Sequence, residues 1–490
     1  MNTLKSKILY NTTIQVIEKF IIYIIGFVSV ALIAHHFSAL GYGIYSTANN
    51  FVVFFALFAD WGIGIIVQRD LLGKSMEERI EFIGNALSFR LLISLVIYGI
   101  AFFSLFFINY SSTIKTGILI LLISQFIISF GPTLMSISQV HLNTIGPTIA
   151  ELAGRIFAIA LVILIVVYNF NIEYTFISIL VSSFIYIVIT IFSTSRLSKL
   201  TLKITPKIYK QIGKDILPIG LAGFLGTIYF KVDSVLLSFM KTTIDVGLYS
   251  LPYKLLEVML TIPGIFMGLT MPILSKTFQD KDIGKLKDIT NQIIGVMFTI
   301  ALPMTVGVIM NAKKIILVIG GKSFAQTSTV SIFGYHLQAN SAEALQILSI
   351  AVGLSFMSNI FGYLLIAING QKQAFWRNLF VAIFNIVLNL IIIPTMSFIG
   401  TSATTVLSEI ITLSVTYYIT CKILKIRFTI PKLEKIVIST AIMTIIIFIA
   451  RNLNIFAIVL LGVSTYALSL YLTGGIDKEY LKLLKTNHIS

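Results

Sequence analysis

Charged residues are scarce in this chain of 490 residues: Asp, Glu, Lys and Arg make up 11% of it, against 57% hydrophobic residues. Water-soluble proteins carry roughly 25% charged residues. The mean hydropathy of +0.96 points in the same direction. This shortage of charge excludes a soluble globular protein and predicts an all-α polytopic membrane protein.

Cysteine is nearly absent, and the residue patterns of common catalytic sites are missing. Cys421 is the only cysteine, which excludes an intramolecular disulfide and any cysteine-based metal site. The five histidines show no metal-ligand spacing. The segment 320–323 (GGKS) resembles the end of a phosphate-binding loop, but Ile316 stands where that pattern requires glycine. We therefore predict no enzymatic activity, no metal and no cofactor.

Long apolar runs are what the chain has in abundance. A spanning helix needs about 20 mainly apolar residues, and the sequence predicts about fourteen of them, with a long loop at 311–342. The predicted helices are 8–34, 46–66, 82–108, 114–138, 147–167, 173–192, 215–240, 248–274, 290–310, 343–368, 374–393, 401–421, 436–450 and 455–472.

The distribution of positive charge predicts the orientation. With the N-terminus in the cytoplasm, 24 of the 36 Lys and Arg residues fall in inward-facing segments and 6 in outward-facing ones. Positive residues concentrate on the cytoplasmic side of membrane proteins. We therefore predict a multi-pass protein of the plasma or inner membrane with both termini in the cytoplasm. The net charge of +16 then requires no nucleic acid partner.

A short repeat predicts that the chain is built twice. The sequence 43–46 (GIYS) is echoed 204 residues later by 247–250 (GLYS), and we predict both as turns in outward loops. Six predicted helices separate them, so the two halves enter the membrane in the same orientation, as in transporters with parallel repeats. We predict a lobe at 1–205, a second at 206–425, and two added helices with a cytoplasmic tail at 426–490. The basic segment 193–214 joins the lobes.

Charged residues inside the predicted helices are candidate functional residues, because a charge at membrane depth is costly unless it meets a partner or a wet cavity. Two pairs have helical spacing: Glu151 with Arg155, and Lys254 with Glu257. The basic residues occur in both halves, which favours a hydrated cavity that binds an anion. The predicted anion-binding residues are Arg90, Arg155, Lys231, Lys254 and Arg377. The carboxylates that would balance this charge, or bind H⁺ or Na⁺ as a driving ion, are Asp60, Asp233, Glu257 and Glu409.

Several segments resemble the polysaccharide biosynthesis transporters, the O-antigen-type flippases of lipid-linked oligosaccharides in the multidrug/oligosaccharidyl-lipid/polysaccharide (MOP) exporter superfamily. They are 34–37 (AHHF), 41–45 (GYGIY), 59–62 (ADWG), 233–237 (DSVLL), 245–250 (DVGLYS) and 345–349 (LQILS). The resemblance covers roughly residues 1–425. It implies a MATE-like fold, with two six-helix bundles in a V, a central cationic cavity and two added C-terminal helices.

The resemblance also implies a substrate: a polyprenyl-linked glycan whose sugar and (pyro)phosphate head crosses while its tail stays in lipid. Partners would be membrane lipid, H⁺ or Na⁺, and proteins of glycan assembly. Two related functions stay open, a multidrug/cation antiporter and a flippase of the peptidoglycan precursor. A membrane scaffold for a glycan-synthesis complex is a third, in which the intramembrane charges would be dispensable.

Overall fold

The computed structural model describes residues 2–59, 61–332 and 335–475; within helices and strands it describes residues 2–13, 16–17, 217–219, 221–230 and 332 by their backbone alone. The chain divides into two compact units, Met1–Gly247 and Leu248–Ser490. In the described residues the first unit contains α1 (Asn2–Ala59), α2 (Ile63–Asp70), α3 (Met76–Ser104), α4 (Ser112–Ile128), α5 (Gly131–Val140), α6 (Ile145–Val167), α7 (Glu173–Ser195) and α8 (Pro206–Met240).

Helix α9 (Thr243–Gln279) begins in the first unit and continues into the second. The second unit also contains α10 (Ile283–Gly320), α11 (Ser341–Ala367), α12 (Gln371–Leu424), α13 (Leu433–Ile449) and α14 (Ile455–Leu472). Between α10 and α11 the antiparallel strands β1 (Ser328–Ile332) and β2 (Tyr335–Ala339) form a hairpin. The all-α polytopic fold class is thus confirmed, and the hairpin is the one sheet in the described residues.

Side-chain caps explain where several of these helices begin. Ser75 and Glu78 form a capping box at the start of α3, and Asn340 with Glu343 forms another at the start of α11. Each box satisfies backbone N–H groups that the first helical turn leaves without partners. At the start of α10, the side chain of Asp282 accepts a hydrogen bond from the backbone N–H of Lys285. Polar residues thus cap these helices at the positions where a loop ends and an apolar stretch begins.

The surface of the described helices is rich in large apolar side chains. Phe107 is 89% exposed and Leu472 is 73% exposed. A soluble protein rarely exposes extended apolar surface, whereas lipid covers it in a membrane protein. Polar side chains are turned inward instead: in α12, Thr401, Thr404 and Thr420 are buried and bond the backbone carbonyl four residues earlier. This arrangement is that of a multi-pass membrane protein.

Ten helical stretches of the described chain are long and apolar enough to cross a membrane. Two of them exceed 50 residues, Glu18–Asp70 and Gln371–Leu424, and at about 1.5 Å per residue each is long enough for two crossings. Non-helical dihedral angles interrupt the helices at Ser38 and Ser397. The predicted number of fourteen crossings stays a prediction, as do the predicted domain boundaries.

Three local expectations were wrong. The repeated segments at 43 and 247 are helical, in α1 and in the first turns of α9, because the chain turns just before them. The predicted helix 46–66 does not run through, since α1 ends at Ala59 and α2 starts after Gly62, whose φ of 75° breaks the helix. The predicted loop 311–342 is helical as far as Gly320 and then forms the hairpin.

Candidate functional site

A cavity of about 320 Å³ lies inside the first unit. Side chains from α1 and from α3 to α7 line it, together with Ser129 at the end of α4. Its charged lining residues are Arg90, Glu151 and Arg155. The structure therefore brings two of the predicted anion-binding residues, Arg90 and Arg155, to one cavity.

Arg90 is buried, with 2% exposure, and bonds two helix ends. Its Nε donates to the carbonyl of Ser129 at 2.6 Å, and its Nη1 donates to the carbonyl of Ala59 at 2.9 Å. Ala59 is the last residue of α1, and Ser129 is the C-terminal cap of α4. The last carbonyls of a helix have no intrahelical donor, and the helix dipole favours a cation there. Arg90 thus joins α1, α3 and α4 and places a positive charge in the cavity wall.

Glu151 pairs with a lysine of α1 rather than with its neighbour on α6. Its Oε2 lies 2.9 Å from Nζ of Lys19. The same Nζ is 3.7 Å from Oε1 of Glu18, which is buried. The ammonium group of Lys19 therefore lies within ion-pair distance of two carboxylates and links α1 to α6. The sequence analysis grouped Glu151 with Arg155 and did not connect it to Lys19, which is 132 residues away.

Arg155 is the exposed cation of this cavity. It lies one helical turn after Glu151, and both side chains line the cavity. Among the residues that the structure describes, no hydrogen bond or ion pair occupies its guanidinium. The five N–H donors of a guanidinium can bind a phosphate in a bidentate way. Because Glu151 is paired with Lys19, the guanidinium of Arg155 is available to bind an anion in the cavity.

The remaining predicted residues lie elsewhere in the chain. Lys231 and the buried Asp233 are on α8 and do not line this cavity. Lys254 and Glu257 form an ion pair of 2.8 Å on α9, which confirms that their spacing places them on one helix face. Their proposed roles, and those of all the candidate site residues, stay predictions.

Helix α12 carries two more of the predicted residues. Arg377 donates to the hydroxyl of Thr416 at 2.8 Å and to the side chain of Asn378. Glu409 is buried and accepts a hydrogen bond of 2.8 Å from Ser358 on α11. Asp60 lies outside the described residues.

Two family models match the chain. One, described as "Polysaccharide biosynthesis protein", matches residues 8–278, and the other, described as "Lipid II flippase MurJ", matches residues 151–474. Each match covers more than half of the sequence. The chain belongs to the family of polysaccharide biosynthesis proteins and MurJ-type flippases that these two models describe. A comparison of the sequence with curated proteins gave no match.

Solved structures of MOP proteins share the fold of this flippase. The lipid II flippase MurJ in an inward closed conformation superposes with a TM-score of 0.76 and 19% identity, over 94% of this chain and 98% of that one. An inward-facing multidrug resistance MATE transporter gives a TM-score of 0.65 and 14% identity, over 82% and 94%. A MATE transporter of Vibrio cholerae gives 0.52 and 13%, over 86% and 98%. The predicted membership is confirmed, and the protein is a transporter rather than an enzyme.

Uncharged polar residues complete the cavity of this flippase, and the sequence did not indicate them. They are Tyr98, Gln125, Ser129, Ser182, Ser183 and Tyr186. Hydroxyl groups are common throughout the apolar helices of the chain, so residue type alone could not select these six. Their only sequence signal is the position of the adjacent Ser182 and Ser183 in mid-helix, which a helix–helix contact explains equally well.

Proposed function

We propose that the protein translocates a polyprenyl-(pyro)phosphate-linked oligosaccharide from the cytoplasmic to the outer leaflet by alternating access, for the synthesis of a cell-surface polysaccharide. Membership in the flippases supports transport of a lipid-linked molecule. The observation that carries the proposal for the headgroup is Arg155, an uncommitted guanidinium in a polar cavity. An anionic (pyro)phosphate is the ligand that such a group recognises best.

In this proposal the five predicted cations contribute unequally. Arg155 binds the phosphate directly, whereas Arg90 acts mainly through its charge, because two carbonyls occupy its Nε and Nη1. Lys231, Lys254 and Arg377 would bind the head at other stages of the crossing. Asp60, Asp233, Glu257 and Glu409 would balance the charge or bind H⁺ or Na⁺.

A second cavity has a different chemistry, which suits a lipid tail. It has a volume of about 430 Å³, lies in the second unit, and is lined by α10, α13 and α14. Its walls are almost entirely aliphatic; Asn311, Thr299 and Tyr466 are the exceptions, and the hydroxyl of Tyr466 donates to the carbonyl of Thr299. Hydrocarbon can fill such a site without leaving polar groups unpaired. This cavity supports a lipid-bound substrate but offers nothing to a glycan.

The test compares Arg155→Gln with Arg90→Gln in full-length protein reconstituted into vesicles with a fluorescent polyprenyl-pyrophosphate-linked sugar. Loss of a charge-assisted contact of about 1.5–3 kcal/mol predicts a translocation rate about 10- to 100-fold lower for Arg155→Gln, with unchanged thermal stability. Arg155→Lys should retain part of the rate. Arg90→Gln should lower the midpoint of thermal unfolding, because it leaves helix-end carbonyls without their cation.

Lys285→Gln is the matched control, since it removes one exposed positive charge from the first turn of α10. It should leave both rate and stability unchanged. A normal rate for Arg155→Gln would remove this residue from the substrate path.

The match to the MurJ family favours a second candidate, a flippase of the peptidoglycan precursor. Both candidates translocate a polyprenyl-pyrophosphate head, and they differ in the sugar and in the cellular result. Depletion of the protein should abolish a surface polymer in the first case and cause lysis in the second. Transfer of drug resistance to a sensitive host would instead support the multidrug antiporter. A scaffold would show normal export with every cavity charge neutralised.

A further inference from the structure

The segment 196–214, here called the basic strap, joins α7 to the first two turns of α8. It contains six basic residues and no acidic one: Arg196, Lys199, Lys203, Lys207, Lys210 and Lys214. All six are exposed, and none forms an ion pair with any described residue. A solvated loop is the simplest account of such a charge run, but the packing of the strap departs from that of a free loop.

Hydrogen bonds hold the extended part of the strap against α3. The backbone N–H of Lys203 donates to the carbonyl of Gly84 at 3.2 Å. Thr205 donates its backbone N–H to Asn85 at 2.6 Å and its hydroxyl to Glu81 at 2.8 Å. A Cβ on Gly84 would lie 2.9 Å from the hydroxyl of Thr201. The strap therefore lies directly on the α3 backbone in one defined position.

Alternation along an extended segment then determines what faces outward. The side chains of Thr201, Lys203 and Thr205 leave the backbone on the side that faces α3. Those of Leu202 and Ile204 therefore leave it on the opposite side. These two aliphatic side chains are 63% and 72% exposed. The contacts with α3 that hold the strap thus also present two adjacent apolar groups away from the protein.

The first turns of α8 continue this surface with charge. Lys207, Lys210 and Lys214 are spaced three and four residues apart and so share one exposed helix face. The opposite face carries Ile212, which is 1% exposed in the apolar core of the first unit. Residues 202–214 therefore combine outward aliphatic groups with a row of exposed cations.

None of the nearby carboxylates forms an ion pair with a cation of the strap in the described part of the chain. Asp215 accepts a hydrogen bond from Arg69, Glu81 accepts from Thr205, and Glu78 accepts from the backbone of Ser75. The strap starts where the candidate span Glu173–Ser195 ends, so it lies at the surface of the bilayer.

We infer that the basic strap is a binding site for anionic phospholipid headgroups of the leaflet on which it lies. The cations contact lipid phosphates, and Leu202 with Ile204 enters the boundary between headgroups and acyl chains. Clusters of four to eight basic residues next to a spanning helix bind anionic lipids in this way, and interfacial apolar side chains add to it. The occupant is a phospholipid rather than a soluble anion because a soluble anion leaves the aliphatic pair uncovered.

The experiment measures lipids bound to the full-length, detergent-purified protein by native mass spectrometry during titration with phosphatidylglycerol or phosphatidylcholine. The variant K203Q/K207Q/K210Q/K214Q removes four cations from the strap. The matched control K276Q/K281Q/K285Q/K287Q removes four from the segment around the start of α10, which also contains Asp280, Asp282 and Asp288. We expect the strap variant to bind phosphatidylglycerol at least 10-fold more weakly than the control, with phosphatidylcholine binding unchanged in both.

Two further arms decide the chemistry. Leu202→Ser with Ile204→Ser keeps every cation and should weaken phosphatidylglycerol binding several-fold without altering thermal stability. Soluble glycerol phosphate, added at the same concentrations as the lipid, should not displace phosphatidylglycerol from the protein. Equal losses in the strap variant and the control, equal binding of glycerol phosphate, or an unchanged affinity in the strap variant would each overturn the inference.

Discussion

Gly43 and Gly247 are equivalent positions of the repeated sequence, and the structure places them in one reciprocal contact within the first unit. A Cβ on Gly43 would lie 1.9 Å from the carbonyl oxygen of Thr243, and a Cβ on Gly247 would lie 2.1 Å from that of Ala39. Ala39 and Thr243 are themselves 204 residues apart, the same interval that separates the two glycines. The contact is therefore reciprocal, because each glycine lies against the carbonyl of the residue four positions before the other glycine.

This close approach predicts that Gly43→Ala destabilises the protein. The added methyl group would overlap a backbone carbonyl, which has to move, and overpacking of this kind costs about 1–3 kcal/mol. Gly99→Ala is the control, because nothing lies within 4 Å of its Cβ position in α3. At a free helical site alanine gains up to about 1 kcal/mol over glycine. Thermal unfolding of the purified protein should thus shift down for G43A and slightly up for G99A; the same shift in both would show that the contact has no energetic role.

At the scale of the residue, sequence spacing predicted local pairs and missed distant ones. Lys254 and Glu257 are paired as their i,i+3 spacing predicted. Glu151 has the equally good spacing to Arg155, yet it pairs with Lys19 of another helix. Local spacing defines which side chains share a helix face. Whether a residue of another helix competes for the same partner, as Lys19 does for Glu151, depends on how the helices pack, and no local sequence pattern shows this.

Ser397 has a backbone conformation that does not suit its residue type. Its φ of 46° and ψ of −135° lie in a region that residues other than glycine rarely adopt. The residue is 3% exposed, and its buried hydroxyl has no hydrogen-bond partner in the part of the chain that the structure describes. The bend at Ser397 divides α12 without a glycine at the bend itself.

We predict that Ser397→Gly stabilises the protein by about 1–2 kcal/mol. Glycine relieves the backbone strain and removes an unsatisfied hydroxyl, and these gains exceed the entropy that glycine adds to the unfolded chain. Ser402→Gly is the comparison within α12, where the residue is helical and its hydroxyl donates to the carbonyl of Phe398. That change should destabilise by about 1 kcal/mol. Chemical unfolding of both variants would measure the difference, and a loss of stability in S397G would contradict the strain argument.

At the scale of the element, the length of the apolar stretches predicted the helices well, because a helix needs about 20 mainly apolar residues to cross the hydrocarbon core of a bilayer. Most predicted apolar stretches fall on one described helix, and α13 and α14 match within three residues, but 46–66 is divided between α1 and α2, and 114–138 between α4 and α5. The breaks at Ser38 and Ser397 lie between predicted helices, after 8–34 and after 374–393, whereas the break at Gly62 falls inside the predicted helix 46–66 and was missed. The hairpin was missed as well: β1 and β2 are five residues each, and the alternation over so short a segment is weak.

At the scale of the whole molecule, the orientation and the number of crossings can be tested together. Helix α12 has 54 residues, about 80 Å at 1.5 Å per residue, which exceeds a hydrocarbon core of about 30 Å more than twofold. If the bend at Ser397 separates two crossings, α12 returns the chain to the side from which it started. A single crossing would instead reverse the side of every residue that follows.

Cysteine labelling distinguishes these cases, because Cys421→Ser leaves a chain without cysteine. Single cysteines are then placed at the exposed Lys285, Lys322 and Arg451. The bias of positive charge places Lys322 and Arg451 outside and Lys285 inside. A membrane-impermeant maleimide added to intact cells should therefore label K322C and R451C, and K285C only after permeabilisation. Labelling of K322C and R451C from opposite sides would mean that the chain between them crosses an odd number of times, either because α12 crosses once or because α13 does not cross. Labelling of K285C in intact cells would mean that the predicted orientation is wrong.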